Sequence, residues 1–211
     1  MKRVLVCFAV SQEAAPFKPL PGVSVLVTGM GAANVRRLLP AMLDRERPAA
    51  VFTCGFAGAL DPALPIGSVL GETNDAHLTN LLEEADVLLR RFHCADHVAV
   101  TAAEKRDLRS KTLCDAVEME SGVIHDLCRQ RALPCATVRA ISDTANDDLP
   151  LDFNQLVDER QRLSALRLAG AILRRPWSIP GLMRLGRHSG LAAHNLAHSL
   201  ARITAAALAN P

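Results

Sequence analysis

The chain has 211 residues, of which 49% are hydrophobic and 22% are charged, and its formal net charge is +2. This length and composition are typical of one α/β domain with a substantial core, and they argue against a disordered chain or a pair of domains. No apolar stretch approaches the roughly 20 residues that a transmembrane helix needs, and the six cysteines lack CxxC spacing, so we interpret them as reduced core thiols.

The first ten residues, MKRVLVCFAV, combine a basic start with a short apolar run. A signal peptide would continue into a small-residue cleavage site, whereas Ser11, Gln12 and Glu13 follow directly. The run is rich in valine, which favours a buried strand. We therefore expect a first strand here and a cytoplasmic protein.

Apolar runs and periodicity predict alternating strands and helices along the chain. Strands are expected over 2–10, 23–28, 50–53, 66–70, 97–101 and 136–141. Helices are expected over 32–46, 78–91, 121–131, 155–175 and 180–208. The alternation predicts an α/β fold, a single domain with a mixed central sheet flanked by helices and a helical C-terminal extension. We expect residues 1–150 to form the α/β core and residues 151–211 to form a helical basic segment packed on the same domain.

Two glycine-rich segments follow predicted strands. The segment from Gly29 to Asn34 reads GxGxxN, and no acidic residue ends a following strand, so a dinucleotide cofactor is not expected. Such a turn exposes N–H groups that can hold an anion, a hydroxyl or a water, although a purely steric turn is the alternative. In the second segment, from Gly55 to Gly58, small residues would let a ligand approach the backbone.

Carboxylates lie at two further strand ends. Glu118 and Glu120 flank Met119 just ahead of a predicted helix, where a negative charge stabilises by up to about 1 kcal/mol. In an extended segment both should face away from Met119, so a pocket on one side would use one of them. Asp143 ends the strand over 136–141, where an isolated aspartate is usually a cap or turn residue and catalysis is the alternative.

Together these segments resemble the nucleoside phosphorylase/nucleosidase superfamily, and especially the methylthioadenosine/S-adenosylhomocysteine nucleosidases. The resemblance covers roughly residues 2–147. It is carried by the early Glu13, TGMG at 28–31, CGFAGALDPALPIGSV at 54–69, AVEMES at 116–121 and VRAISDTAN at 138–146. It implies a homo-oligomeric enzyme that cleaves the N-glycosidic bond of a purine nucleoside and needs no metal or organic cofactor.

The resemblance also implies roles for individual residues. Asp143 matches the acid at the purine N7 and must hold or share a proton with substrate bound, while Ser142 orients it. Glu120 matches the carboxylate that binds the ribose hydroxyls, and Glu13 matches the glutamate that activates water. The other substrate-binding residues implied are Gly29, Gly31, Phe56, Ala57, Gly58, Val117 and Met119.

Departures from the family pattern favour hydrolysis over phosphorolysis. Phosphorolytic relatives place an arginine on the strand before the glycine turn, but Val51-Phe52-Thr53 has no basic residue here. The usual serine is Phe56, which cannot donate a side-chain hydrogen bond, and a phosphate dianion without a cation is poorly held. Arg36 and Arg37 are the alternative phosphate ligands, although helix-surface charges explain them equally simply. Between Gly71 and Asp115, Phe92 is the one aromatic residue, so we expect a wide pocket.

The C-terminal region has a distinct charge pattern. From residue 160 onward there are eight arginines and no acidic residue, leaving 16 basic and 22 acidic residues elsewhere. With the shortened middle, this tail resembles the hopanoid-associated members of the superfamily, which implies adenine release from adenosylhopane. An apolar helical stripe, Trp177 and the arginines would suit an anionic membrane surface through 174–202. A core-packing helix with a solvated basic face is the alternative, and no nucleic-acid motif is present.

Three functions therefore stay open at this point. The first is a purine nucleosidase that releases adenine from an adenosyl compound. The second is a purine nucleoside phosphorylase that uses phosphate as its co-substrate. The third is a nucleoside-binding protein without catalytic activity, which the Phe56 substitution and the low aromatic content favour.

Overall fold

Short apolar runs form the centre of the fold, because they are the right length for buried strands. The computed structural model describes residues 3–156 and 165–209, and these residues include eight strands of one mixed sheet. The strands are β1 (Val4–Phe8), β2 (Val23–Val27), β3 (Ala50–Ala59), β4 (Val69–Thr73), β5 (Leu88–Leu89), β6 (Phe92–Cys94), β7 (Ala116–Glu118) and β8 (Cys135–Asp143).

The main path of the sheet runs β2-β1-β3-β8-β4-β5, and β6 and β7 form a branch. Strands β2, β1, β3 and β8 are parallel neighbours, whereas β4 is antiparallel to β8. The far end of β3 pairs antiparallel with β7, which itself pairs parallel with β6. The carboxyl ends of β1, β3 and β8 therefore meet at one edge of the sheet, where ligands bind in open α/β folds.

A bulge interrupts the pairing of β3 with β8 at this edge. Ala57 is opposite Ile141, but Gly58 is opposite Asp143, so Ser142 is the extra residue. Bulges re-aim side chains beside functional sites. This one determines which way the side chain at the end of β8 points.

The described ranges contain seven α-helices. Their apolar faces supply much of the core, as the expected periodicity requires. They are α1 (Ser11–Ala14), α2 (Ala32–Glu46), α3 (Ala76–Glu84), α4 (Ala102–Thr112), α5 (Ser121–Arg129), α6 (Ala165–Arg174) and α7 (Ile179–Ala209).

The long helix α7 changes character along its length. From Ala192 to Ala207 its apolar positions join the same buried cluster as Val138 and Ala140 of β8. Its first three turns are largely exposed, and Met183 is 65% accessible. From Ala192 onward α7 is therefore a core-packing helix. Its first three turns have the exposed surface that the alternative required. None of the described helices is long and apolar enough to span a bilayer.

Several predicted boundaries were wrong. Strand β3 continues to Ala59 through the segment expected to be a turn, and the helix expected over 78–91 ends at Glu84, ahead of β5. Residues 97–101 are not a strand, and α4 follows them instead. Residues 157–164 of the helix expected over 155–175 lie outside the described residues. The α/β class, the mixed sheet and the bounds of α2 were predicted correctly.

Candidate active site

A cavity of about 390 Å³ opens at the carboxyl ends of β1, β3 and β8. Glu13, Glu120 and Asp143 all line it, although they come from α1, the start of α5 and the end of β8. The other predicted residues that line it are Phe56, Ala57, Gly58, Val117, Met119 and Ser142.

Two predicted residues contribute indirectly. Gly29 and Gly31 are not among the lining residues, whereas Met30 between them is. The N–H of Gly31 donates to Oε1 of Glu120 at 3.0 Å, so the glycine turn holds a carboxylate of this protein. Gly29 has φ +85°, and a Cβ there would lie 2.9 Å from the side-chain amide of Asn34.

Asp143 is held from both of its carboxylate oxygens. Ser142 Oγ donates to Oδ1 at 2.8 Å, which matches the orienting role expected of this serine. On the other side, Lys105 Nζ donates to Oδ2. Lys105 is fully buried, and its side chain also donates to the carbonyl oxygens of Thr144 and Asp147 at 2.9 and 3.0 Å.

Sequence reasoning missed Lys105 because α4 has no apolar stripe to predict it. The available signal was the spacing Thr101-x-x-Glu104, which is typical of a helix start. Thr101 Oγ1 accepts from Glu104 N at 3.1 Å, as that pattern requires.

Glu13 binds three backbone amides. Its Oε2 accepts from Ala9 and Val10 at 3.1 and 3.0 Å, and its Oε1 accepts from Phe56 at 2.8 Å. Phe56 lacks the hydroxyl of the serine that is usual in the family, but its backbone N–H still donates a hydrogen bond to Glu13. Burial raises the pKa of Glu13 to about 7, although Arg139 and the amide donors oppose that rise.

Arg139 on β8 contacts the carboxylates of both Glu118 and Glu120. It is 1% exposed, and its Nη2 lies 2.5 Å from Glu118 Oε2 and 3.5 Å from Glu120 Oε2. Glu118 also accepts from the backbone N–H groups of Glu120 and Ser121 at 3.0 and 2.9 Å, which holds the start of α5.

This arrangement shifts the pKa values of Glu118 and Glu120 in opposite directions. Burial would raise the pKa of Glu118, but Arg139 and the donors from Ser121 hold it below its usual value. Burial raises the pKa of Glu120 despite Arg139, and the charge of Glu118 adds to the rise.

The two glutamates do not face away from Met119, as an extended segment would require. Strand β7 ends at Glu118 and the chain bends into α5, so Glu118, Met119 and Glu120 all line the cavity.

Much of the remaining cavity wall is apolar, although Gln12, His97 and Ser189 also line it. Val98, Ala99 and Leu149 line it together with Phe153, an aromatic residue that lies outside the segment between Gly71 and Asp115. Phe92, the aromatic residue considered there, packs in a separate core cluster. A flat ring on an apolar wall suits contact with a purine or with an apolar substituent.

His97 was also missed. It lines the cavity, and its ring nitrogens contact Asp96 at 2.5 Å and Glu104 at 2.7 Å. These hydrogen bonds raise its pKa.

The alternative phosphate ligands lie elsewhere. Arg36 and Arg37 are exposed on α2 and do not line the cavity, and Arg37 donates to Asn34 Oδ1 at 3.1 Å. Within residues 3–156 and 165–209, no group of three or more His, Cys, Asp or Glu side chains is arranged to hold a metal ion.

Fold and cavity together define an α/β protein with a carboxylate-lined site at its strand ends. Residues 72–174 match the sequence profile of the Phosphorylase superfamily. A 5′-methylthioadenosine/S-adenosylhomocysteine nucleosidase of Shewanella sediminis is 26% identical, and the alignment covers 70% of this chain and 80% of that protein. An aminodeoxyfutalosine nucleosidase of Campylobacter jejuni is also 26% identical, with 64% and 74% covered.

The fold comparison agrees with these sequence matches. The structure of 5′-methylthioadenosine/S-adenosylhomocysteine nucleosidase from Neisseria meningitidis in complex with methylthio-immucillin-A superposes with a TM-score of 0.73. The two chains are 17% identical, and the match covers 98% of this chain and 100% of that one. The sequence matches and the fold support the resemblance to the nucleoside phosphorylase/nucleosidase superfamily that the sequence motifs indicated.

Proposed function

We propose that this protein hydrolyses the N-glycosidic bond of a purine nucleoside and releases adenine. The observation that carries the proposal is the convergence of Glu13, Glu120 and Asp143 on one cavity. The named activities of the relatives from Shewanella sediminis and Campylobacter jejuni support the same class of reaction.

The reaction needs three groups, and the cavity offers one for each. As the bond from C1′ to the purine breaks, its electrons move into the base, and Asp143 delivers the proton that the base takes up. Glu120 binds the ribose hydroxyls and stabilises the positive charge on the sugar carbon. Glu13 accepts a proton from the water that attacks that carbon. Met119, Val117 and Phe56 supply apolar contacts to the nucleoside.

Hydrolysis is favoured over phosphorolysis by the charges beside Gly55. The nearest cation, Arg139, is already paired with Glu118, and Glu13 lies beside it as a further negative group. A phosphate dianion here would meet a carboxylate and find no unpaired arginine. A phosphate-dependent purine nucleoside phosphorylase is the alternative.

The experiment measures adenine release from 5′-methylthioadenosine, S-adenosylhomocysteine and adenosine, with and without phosphate. We expect release at the same rate in both conditions, with free ribosyl product and no ribose 1-phosphate. Strict phosphate dependence would instead identify a phosphorylase. No adenine from any substrate, together with nucleoside binding, would identify a catalytically inactive nucleoside-binding protein.

For the 5′ substituent we propose a bulky apolar group, such as the hopane of adenosylhopane. The apolar wall formed by Val98, Ala99, Leu149 and Phe153 supports it. Adding adenosylhopane to the substrate series tests this point, and we expect its kcat/KM to exceed that of adenosine.

We also propose that the exposed face from Leu173 to Leu191 contacts an anionic membrane surface. Leu173 and Trp177 are 82% and 74% exposed, and Arg174, Arg175 and Arg187 are exposed in the same segment. This is narrower than the predicted range of 174–202, because α7 is buried on the sheet from Ala192 onward. A second copy of the chain in a homo-oligomer is the other candidate occupant of this surface.

A further inference from the structure

Lys105 is a buried cation for which the reaction above provides no role. Its ammonium group has three hydrogens, and all three are donated: to Oδ2 of Asp143, to the carbonyl of Thr144 and to the carbonyl of Asp147. It does not line the cavity, so it acts on the site only through these partners.

Two of these bonds hold the loop after β8, but the third has a chemical consequence. Carbonyl partners alone would be enough for a lysine that anchors a loop. Lys105 also contacts the carboxylate of Asp143, which faces the leaving base in the proposed reaction. An ammonium that is hydrogen-bonded to a carboxylate holds a proton that it can transfer to that carboxylate. Lys105 is therefore placed to give Asp143 the proton that the purine takes up.

We propose that Lys105 is the positioning residue that supplies this proton through Asp143, an inference that rests on the proposed nucleosidase function. The proton passes from Nζ to Oδ2 and then to the purine nitrogen, while the C1′–N bond breaks and its electron pair goes to the base. Lys105 becomes neutral, and the positive charge now lies on the ribosyl carbon that faces Glu120. Water adds to that carbon and gives a proton to Glu13. After the products leave, Glu13 releases this proton to solvent and Lys105 takes one up from solvent.

The geometry of Asp143 makes Oδ2 the oxygen for this transfer. Ser142 holds Oδ1, which fixes the orientation of the carboxylate. A Cβ at Gly58 would lie 3.0 Å from Oδ2, so the missing side chain leaves that oxygen accessible from the cavity. Oδ2 thus faces both the lysine and the space where a base would bind.

The other charged groups around the pair are already engaged. The carboxylate of Asp147 accepts from the N–H and hydroxyl of Thr144 and lies 3.7 Å from Arg184 of α7. Asp148 accepts from Ala102 N at 2.7 Å. Glu104 on the same helix accepts from Val100 N and contacts His97, and His188 of α7 borders the small space behind Asp143.

The test compares wild type with K105M and K105R by measuring kcat for adenine release from 5′-methylthioadenosine between about pH 5.5 and 9. Dividing the kcat of the variant by the kcat of wild type at each pH removes the effect of Glu13 protonation, because both proteins share it. We expect K105M to stay within about tenfold of wild type at the acid end, where protons from solvent can replace the one from the lysine, and to lose about tenfold more per pH unit above neutrality. Activity at the acid end also shows that K105M is folded.

K105R separates proton supply from loop anchoring. A guanidinium keeps the charge and the donors but does not release a proton in this range, so K105R should follow K105M at alkaline pH. K111M is the matched control, because Lys111 lies on the same helix and pairs with Asp107 at the surface. A wild-type pH profile in K105R, or a loss in K105M that is equal at every pH, would overturn the inference.

A second readout does not need turnover. In ¹⁵N-lysine-labelled protein, Lys105 should give a slowly exchanging ammonium signal that moves in D143N and stays in K111M. Absence of such a signal would also overturn the inference. If wild type releases no base at all, the proposed function fails, and the ammonium signal still decides whether Lys105 and Asp143 are paired.

Discussion

The Nη2 atom of Arg139 lies 2.5 Å from Oε2 of Glu118, and both side chains are buried. The same nitrogen is 3.2 Å from Thr53 Oγ1 and 3.5 Å from Glu120 Oε2. One guanidinium therefore connects the carboxylate that starts α5 to the carboxylate that faces the cavity. Removing it would leave two buried negative groups without a cation.

We expect R139M to lower the free energy of unfolding at pH 7 by about 3–5 kcal/mol, the usual cost of breaking a buried pair. Arg139 holds the pKa of Glu118 low, and that stabilisation is present above the usual glutamate pKa and is lost as pH falls. The difference between R139M and wild type should therefore shrink toward pH 4 in urea titrations.

R129M is the matched control for this prediction. Arg129 pairs with Asp126 at the surface of α5, and such exposed pairs contribute about 0–1 kcal/mol. Equal destabilisation of R129M and R139M would show that the interior ion pair is no stronger than a surface one.

The D143N variant tests the role of the strand-end aspartate. An amide keeps the size of the side chain but cannot act as the acid, so kcat for adenine release should fall on the order of a hundredfold or more. KM should change little. S142A removes one hydrogen bond to Oδ1 and should cost about tenfold. Unchanged kcat in D143N would show that another group supplies the proton to the leaving base.

The position of Glu13 predicts the pH dependence. Its pKa is raised to about 7 by burial, and in the proposed role it activates water only when it is ionised. The kcat/KM of the free enzyme should therefore fall below about pH 7, by roughly tenfold per unit. E13Q should be slow at every pH and should lack this limb. An acid limb that persists in E13Q, or one in wild type at the usual glutamate pKa, would assign the base to another group.

Gly55 allows Glu13 and Arg139 to lie side by side. Its φ is +155°, and a Cβ there would lie 2.5 Å from Arg139 Nη1 and 2.6 Å from Glu13 Oε1. Both side chains are fixed by other partners, so G55A must displace them, and a shift near 1 Å can cost about a hundredfold in rate. We expect a large loss of kcat/KM in a folded protein.

G186A is the control for G55A, because Gly186 lies in α7 with nothing near its Cβ position. Alanine favours a helix interior by up to about 1 kcal/mol over glycine, so G186A should unfold at the same temperature or higher and keep full activity. Equal activity in G55A and G186A would contradict the close packing at the β3 turn.

These glycines also show where sequence reasoning was sufficient and where it was not. Helix α2 was predicted over roughly 32–46, which agrees with its observed bounds, because its periodic apolar positions are a local signal. The segment from Gly55 to Gly58 was read as a turn because glycine usually ends strands. It continues as β3 because β8 pairs with it on one side and the small residues leave room for Glu13 and Arg139.

The site also contains residues that the sequence predicted and residues that it did not. Glu13, Glu120 and Asp143 were predicted from motifs, and the fold brings them to one cavity, while their roles stay predictions until measured. Lys105 and Phe153 were not predicted. Each reaches the site from a segment whose own sequence has no catalytic pattern, so only the tertiary fold reveals them.

The exposed C-terminal surface gives the last prediction. Apolar side chains surrounded by arginines bind anionic lipid headgroups, each basic residue contributing about 1 kcal/mol near the surface. Wild type should therefore float with phosphatidylglycerol vesicles and not with phosphatidylcholine vesicles. The triple change of Arg174, Arg175 and Arg187 to glutamate should abolish flotation. Arg184 is left unchanged because it faces Asp147 beside the site.

The control reverses three exposed arginines outside these helices, Arg90, Arg106 and Arg129, so that the change in net charge is the same. If both triple variants float equally, net charge and not this surface drives binding. If wild type does not float but light scattering gives a dimer that W177A dissociates, a second copy of the chain covers the surface. Because adenine release from soluble 5′-methylthioadenosine does not use the membrane, the triple variant should keep its kcat, which separates membrane binding from damage to the site.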